Sequence, residues 1–229
     1  VLKNRSVSVI STGMGTDNID IVFNELDALF NLELNTAKPL KSPTPLTFIR
    51  LGTSGTIQAN IELDSLIVAE AAIGFDNLMH YYEPSMCEHP IAVSLHSKLG
   101  MSKNLNHPYY IDGDSVLVDD CLKLGMSKGI IVTNPGFYAP QGRHLRTKNI
   151  LPYDLNEFIH FNYKDSKITN FDMETSGIYG LSHVMGHRAI SISAILANRF
   201  HSTFSNQTDK TVFNMIEKVT NAIKNGFFL

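Results

Sequence analysis

The chain has 229 residues, 43% hydrophobic and 18% charged, with a formal net charge of −3. That length supports one large core burying roughly 70–75% of the unfolded surface, so a single domain is expected. The composition excludes a disordered chain, no run approaches the ~18 apolar residues of a membrane span, and scattered Lys and Arg residues exclude a nucleic-acid footprint.

Cys87 and Cys121 fit no metal or redox spacing and read as buried free thiols of a reducing compartment, which points to the cytoplasm. The sequence starts without Met and has no signal-peptide core. The expectation is therefore of a piece of a longer protein.

Residues 6–11, Ser-Val-Ser-Val-Ile-Ser, form a β-branched run closed by Thr12-Gly13-Met14-Gly15. Apolar residues then recur at Ile19, Val22, Phe23, Leu26, Leu29 and Phe30, which predicts strand, glycine turn and amphipathic helix, with Asp17 as the cap. Residues 31–45 read as a loop. Residues 47–51 are a second strand ending in a turn at Gly52-Thr53-Ser54-Gly55, and residues 65–69 a third.

Further on, residues 116–124 predict a helix, 129–133 a strand, and 134–149 a polar loop of a length that is usually functional or disordered. A helix near 153–161, a strand near 168–171, a helix from Glu174 to Gly186 and a buried strand at 189–196 follow. The last helix starts at Thr208 or Asp209, carries a stripe of Val212, Ile216, Val219 and Ile223, and stops at Gly226. Strands mixed with helices throughout define the α/β class, a single-domain sandwich with a mixed central sheet flanked by helices.

Arg50-Leu51-Gly52-Thr53-Ser54-Gly55 joins a cation at a strand end to glycines that let backbone amides approach a ligand and to two hydroxyls, the makings of an anion site. On spacing alone it also reads as a tight turn with a surface Arg. It lacks the Lys of a P-loop, which disfavours ATP. Ser11-Thr12-Gly13-Met14-Gly15 is a second glycine turn, of the kind that ends strands where open α/β sheets bind ligands.

Gln141-Gly142-Arg143 offers an amide that can both donate and accept, matching a pyrimidine edge, beside a guanidinium that only donates; its plain alternative is a solvated loop. In Asp172-Met173-Glu174 a carboxylate either caps the next helix or accepts hydrogen bonds from a sugar diol, and Met173 is either an apolar contact or plain core. Arg199 is a cation at the end of a buried strand. No His-Glu-x-x-His or Gly-x-Ser-x-Gly occurs, so metal and serine hydrolysis drop out.

In this order, residues 9–15, 48–58, 137–143, 171–177 and 194–199 resemble the nucleoside phosphorylase family, and most closely its uridine phosphorylase type. The resemblance implies that Arg50 and Thr53 hold phosphate, assisted by the backbone from Gly52 to Ser54, and that Thr53 also faces the ribose. It implies that Gln141 and Arg143 take the pyrimidine edge, supported by Arg199, with Phe137 stacking near the base. Met173 and Glu174 would take the ribose and Met14 would line it, leaving Arg50, Glu174 and Arg143 as the catalytic residues. Asp172 stands where the family carries Glu, a conservative change at a supporting site.

Purine-directed relatives carry an acid near the end of the late strand, where this sequence has Ala197-Asn198-Arg199. The family's opening strand with its Gly-Asp-Pro-x-Arg turn, and the residues that reach a neighbouring subunit, are not found. The resemblance thus implies phosphorolysis of uridine to uracil and ribose 1-phosphate by a homo-oligomer, at least a dimer. Inorganic phosphate is co-substrate, and no cofactor, metal, nucleic acid or membrane is involved. A nucleosidase and a non-catalytic nucleoside-binding protein are the alternatives.

Overall fold

The computed structural model describes residues 6–101, 107–151, 153–163 and 165–228. In chain order the elements are α1 (Thr16–Asn31), β1 (Leu32–Glu33), β2 (Lys38–Pro39), β3 (Thr47–Thr56), β4 (Leu66–Gly74), α2 (Met79–Tyr82), α3 (Pro90–Leu99), β5 (Tyr109–Asp112) and α4 (Ser115–Lys123). They continue with β6 (Ser127–Thr133), α5 (Asn156–His160), β7 (Asn162–Tyr163), β8 (Ser166–Asp172), α6 (Thr175–Met185), β9 (Arg188–Asn198), β10 (Thr203–Phe204) and α7 (Thr208–Lys224). The expected mixed α/β architecture is present.

The sheet does more than lie flat between helices. β9 runs parallel to β3, the last residues of β3 pair antiparallel with β8, and β8 and β6 run parallel, as do β6 and β4. The first residues of β4 then pair with β9, closing a ring of five strands. Later residues of β4 leave β9 and pair with β5, so the ring is splayed at that corner. Side-chain alternation explains how one strand serves two layers. In β6, Ile130 and Val132 pack with α3 and α5, whereas Ile131 between them packs with α1 and α6. A third cluster lies under α4 and α7.

Several expectations are corrected. Residues 6–11 form no strand: Val7, Val9 and Ile10 are exposed, and no described strand pairs with them. A β-branched run makes a strand only where an edge receives it. Asp17 is not the cap of α1, since the helix starts from Gly15 at φ 92°, and Asp17 lies in its first turn. Gly52 to Gly55 is not a turn but the second half of β3, with a bulge against β9 after Ser54. In α7 the buried residues are Thr211, Met215, Val219 and Ala222; of the expected stripe only Val219 is fully buried, Val212 and Ile223 are half-buried and Ile216 is exposed. Cys121 is buried, whereas Cys87 is only half-buried.

Candidate active site

β3, β8, β6 and β9 bring their C-terminal ends together: Gly55 pairs with Phe171, Thr133 with Asp172, and Thr56 with Asn198. Parallel strands sharing one end gather loops and helix starts there, where α/β proteins place ligands. Two polar clusters occupy this end.

The first centres on Arg50. Its Nη2 donates to Glu174 Oε2 at 2.6 Å, and its Nη1 lies 3.3 Å from Ser191 Oγ and 3.4 Å from Asp172 Oδ2. Gly52 makes this possible, because a Cβ there would collide with the Arg50 guanidinium. Burial works against the charge on Arg50, but the two carboxylates outweigh it and hold its pKa above the ordinary guanidinium value. Glu174 also accepts the Gly15 N–H at 2.9 Å, so the turn before α1 and the start of α6 are tied through one carboxylate.

Of the two acids near the start of α6, Asp172 does the capping: it accepts the Thr175 N–H at 3.1 Å and the Thr175 hydroxyl, and Thr133 Oγ1 donates to it at 2.7 Å. Glu174 makes no capping bond. Thr133, Thr175 and Ser191 were not singled out from sequence. Their hydroxyls matter because they fill the lone pairs and protons around buried charges, and nothing local in the sequence marks a Thr or Ser as doing so.

The second cluster is Gln141, Arg143, Arg199 and Phe137. Gly142 turns at φ 73°, and a Cβ there would strike Leu155, so only glycine fits between Gln141 and Arg143. Gln141 is 2% exposed, and its side-chain oxygen accepts from Arg143 Nη1 at 2.5 Å. Arg143 Nη1 also donates to the Phe137 carbonyl at 2.8 Å, and the guanidinium sits 3.9 Å from the centre of the Phe137 ring. Arg199 Nη2 donates to the Gln141 carbonyl, its guanidinium faces the Phe171 ring, and its buried Nη1 has no hydrogen-bond partner among the described residues.

No described carboxylate pairs with either arginine of this cluster. Burial pushes Arg143 down, and burial followed by the charge of Arg143 pushes Arg199 down to about 10. Phe171 joins the two clusters: its carbonyl accepts from Ser54 Oγ at 2.6 Å, one residue before Asp172, while its ring lies under Arg199.

The structure therefore brings Arg50 to Glu174, and Gln141 to Arg143, Arg199 and Phe137. Thr53 is exposed and Ser54 buried, as alternation along β3 requires; the Ser54 hydroxyl is spent on Phe171 and Asn170, and Ser54 pairs with Ile195 in the β3–β9 ladder. Met14 is exposed, its carbonyl accepting from Asn18 Nδ2, and Met173 is half-buried.

Fold and site together define an α/β protein with two polar clusters of opposite charge balance at the shared strand ends. The chain belongs to the phosphorylase superfamily, whose family model matches residues 1–225. It is similar to a uridine phosphorylase of Thermococcus kodakarensis, 28% identical over 91% of this chain and 64% of that protein. It is also similar to a uridine phosphorylase of Haemophilus influenzae, 22% identical over 97% and 75% of the two chains. A DeoD-type purine nucleoside phosphorylase of Buchnera aphidicola is 25% identical over 84% and 64%. This chain thus spans somewhat less than two thirds of the length of the Thermococcus relative. Among solved structures, a Trypanosoma brucei nucleoside phosphorylase shown to have uridine phosphorylase activity shares the fold, with TM-score 0.80, 24% identity, and 93% and 78% of the two chains covered.

Proposed function

We propose that the protein is a nucleoside phosphorylase that cleaves uridine, with phosphate as nucleophile and no cofactor, giving uracil and ribose 1-phosphate. The observation that carries this reading is the division of charge across the cleft. Two guanidiniums that no described carboxylate pairs with stand beside Gln141, and one guanidinium with two carboxylates stands beside Ser191. Breaking a bond between ribose and base builds negative charge on the base and positive charge on the sugar. A field fixed in that direction lowers the barrier because it strengthens as the charges separate.

In this reading Gln141 and Arg143 face the uracil edge, Arg199 supports them, and Phe137 covers the ring. Glu174 and Met173 take the ribose, with Met14 at its side, and Arg50 and Thr53 take phosphate with the Gly52 to Ser54 backbone. A second copy of the chain completes the phosphate site in a cytoplasmic homo-oligomer. The uridine phosphorylases and the DeoD-type enzyme among its relatives support the reaction class and leave the base to be decided by these residues.

The test is release of base from uridine and inosine, each with and without phosphate. Uridine cleaved only with phosphate, and inosine at least ~100-fold more slowly, is the expected outcome. Equal turnover of the two nucleosides overturns the choice of base. One observation favours hydrolysis as a second reading: Arg50 already answers two carboxylates, so the charge around it is net negative. Cleavage undiminished without phosphate would establish that reading instead.

A further inference from the structure

Asp76, just beyond β4, is 5% exposed and touches neither Arg50 and Glu174 nor the Gln141 cluster directly. Its Oδ1 accepts the Leu78 N–H at 2.9 Å, the Tyr109 hydroxyl reaches its two oxygens at 2.8 and 2.9 Å, and the Ser176 hydroxyl donates to Oδ2 at 2.8 Å. No cation pairs with it among the described residues, and burial raises its pKa against the pull of these donors. A buried carboxylate is costly to keep unless it is hydrogen-bonded, and an apolar side chain in its place would leave the Tyr109 and Ser176 hydroxyls and the Leu78 N–H without an acceptor. Its donors are therefore informative.

Ser176 is the second residue of α6 and fully buried. Its hydroxyl gives to Asp76 and lies 2.8 Å from the Tyr109 hydroxyl, while its N–H donates to Thr133 Oγ1 at 3.0 Å. Thr133 Oγ1 in turn donates to Asp172. The first turn of α6 is thus gripped from one side by Asp76 and Tyr109 and from the other by Thr133 and Asp172. Two glycines are required for the grip. A Cβ on Gly74 would run into the Tyr109 ring, and one on Gly177 would press on Thr16 of α1. Glu174, two residues before Ser176, owes its place to the same turn.

We propose that Asp76, together with Tyr109, is a positioning residue for the ribose end of the cleft: by fixing Ser176 it fixes the start of α6 and with it the carboxylate of Glu174. The inference rests on the reading of Glu174 as the group that takes the ribose diol. Asp76 touches no substrate, so its removal acts through the placement of Glu174, where a displacement of about 1 Å costs up to roughly a hundredfold in rate.

The experiment compares uridine with 2′-deoxyuridine, which lacks one of the hydroxyls that Glu174 would hold. Asp76→Ala is expected to lower kcat/KM for uridine roughly ten- to a hundredfold and for 2′-deoxyuridine by less, so that the ratio between them narrows while uracil affinity holds. Asp76→Asn, which keeps the shape and can still hydrogen-bond, should restore most of the ratio. Val219→Ala, a core change in α7, serves as the control of comparable thermal destabilisation and should leave the ratio alone. Hydrogen exchange gives an arm that needs no turnover: in Asp76→Ala the amides of residues 174–178 should exchange faster while those of 211–222 do not. Should Asp76→Ala fail to fold, Tyr109→Phe removes a single hydroxyl and should show the same pattern more weakly. An unchanged ratio with uniformly faster exchange overturns the proposal. A wild-type protein that cleaves no uridine overturns the functional reading instead, and the exchange pattern then decides the case for Asp76.

Discussion

The two halves of the cleft hold arginines in opposite ways. Arg50 sits in the middle of a strand, ringed by Glu174, Asp172 and Ser191, and its charge is favoured. Arg143 and Arg199 hang on a loop and a strand end, give their protons to carbonyls and an amide, and are held below their ordinary pKa. The first arrangement is self-satisfied: removing any member strands the others. The second is poised and uncompensated, with one Arg199 nitrogen buried and unpartnered among the described residues. Arginines for which a ligand must compete with carboxylates and arginines that no described carboxylate neutralises can thus be told apart by their neighbours.

The sharpest way to break the comparison is Arg50→Ala. The substitution leaves Asp172 and Glu174 facing one another with side chains 2% and 10% exposed, and breaking such a pair costs about 3–5 kcal/mol. A large fall in melting temperature is expected together with loss of turnover. Because Glu174 loses its main partner, uridine binding should weaken as well as phosphate binding, whereas uracil alone should bind as before. If melting is unchanged, Arg50 is not the keystone of the first cluster.

Arg143→Met should do the reverse. It removes a half-buried cation that no described carboxylate pairs with and relieves its neighbour Arg199, so the melting temperature should hold or rise slightly. Uracil affinity should fall roughly 10- to 100-fold, the equivalent of a charge-assisted hydrogen bond of about 1.5–3 kcal/mol. Calorimetric titration with uracil beside a thermal melt reads both quantities. A destabilised protein with intact uracil affinity would make Arg143 a structural residue and not a base contact.

Much of this was legible in the sequence, and the gaps have physical causes. The helix from Thr175 to Met185 and its stop at Gly186, which adopts φ 74°, follow from a capped start and a glycine end. In Gln141-Gly142-Arg143 the glycine marks a turn, and the structure has Gly142 at φ 73° with the Gln141 and Arg143 side chains hydrogen-bonded. Gly52 misleads: its local grammar says turn, but its purpose is to leave room for a side chain two residues back. Residues 6–11 mislead because strand propensity carries no information about whether a partner edge exists. The Asp76, Tyr109 and Ser176 cluster joins residues 33 and 67 positions apart, and no spacing or motif announces it. Neither does the pairing of Arg50 with Glu174, 124 positions along.

The smallest expected effect calibrates the comparison with an arginine far from the cleft. Arg188 Nε and Nη2 meet the two oxygens of Asp114 at 2.7 and 3.0 Å, and Asp114 also caps α4 by accepting the Leu117 N–H. The hydrogen bond from Arg188 outweighs burial and holds the Asp114 pKa below the usual carboxylate value, while Arg188 is raised, as Arg50 is. A carboxylate with a lowered folded-state pKa binds fewer protons folded than unfolded between the two values. Its contribution is therefore complete above its unfolded pKa near 3.8 and is lost as pH falls through the lower folded value. Asp114→Asn should cost about 1 kcal/mol at pH 7, the range of one cap and one partly exposed pair, and the gap from wild type should close as the pH falls below 4. Denaturant melts across that range test it. Arg143→Met, whose cation has no acid to lose, should run parallel to wild type over the same interval, and a gap that changes with pH there would show that a carboxylate does answer the base-side arginines.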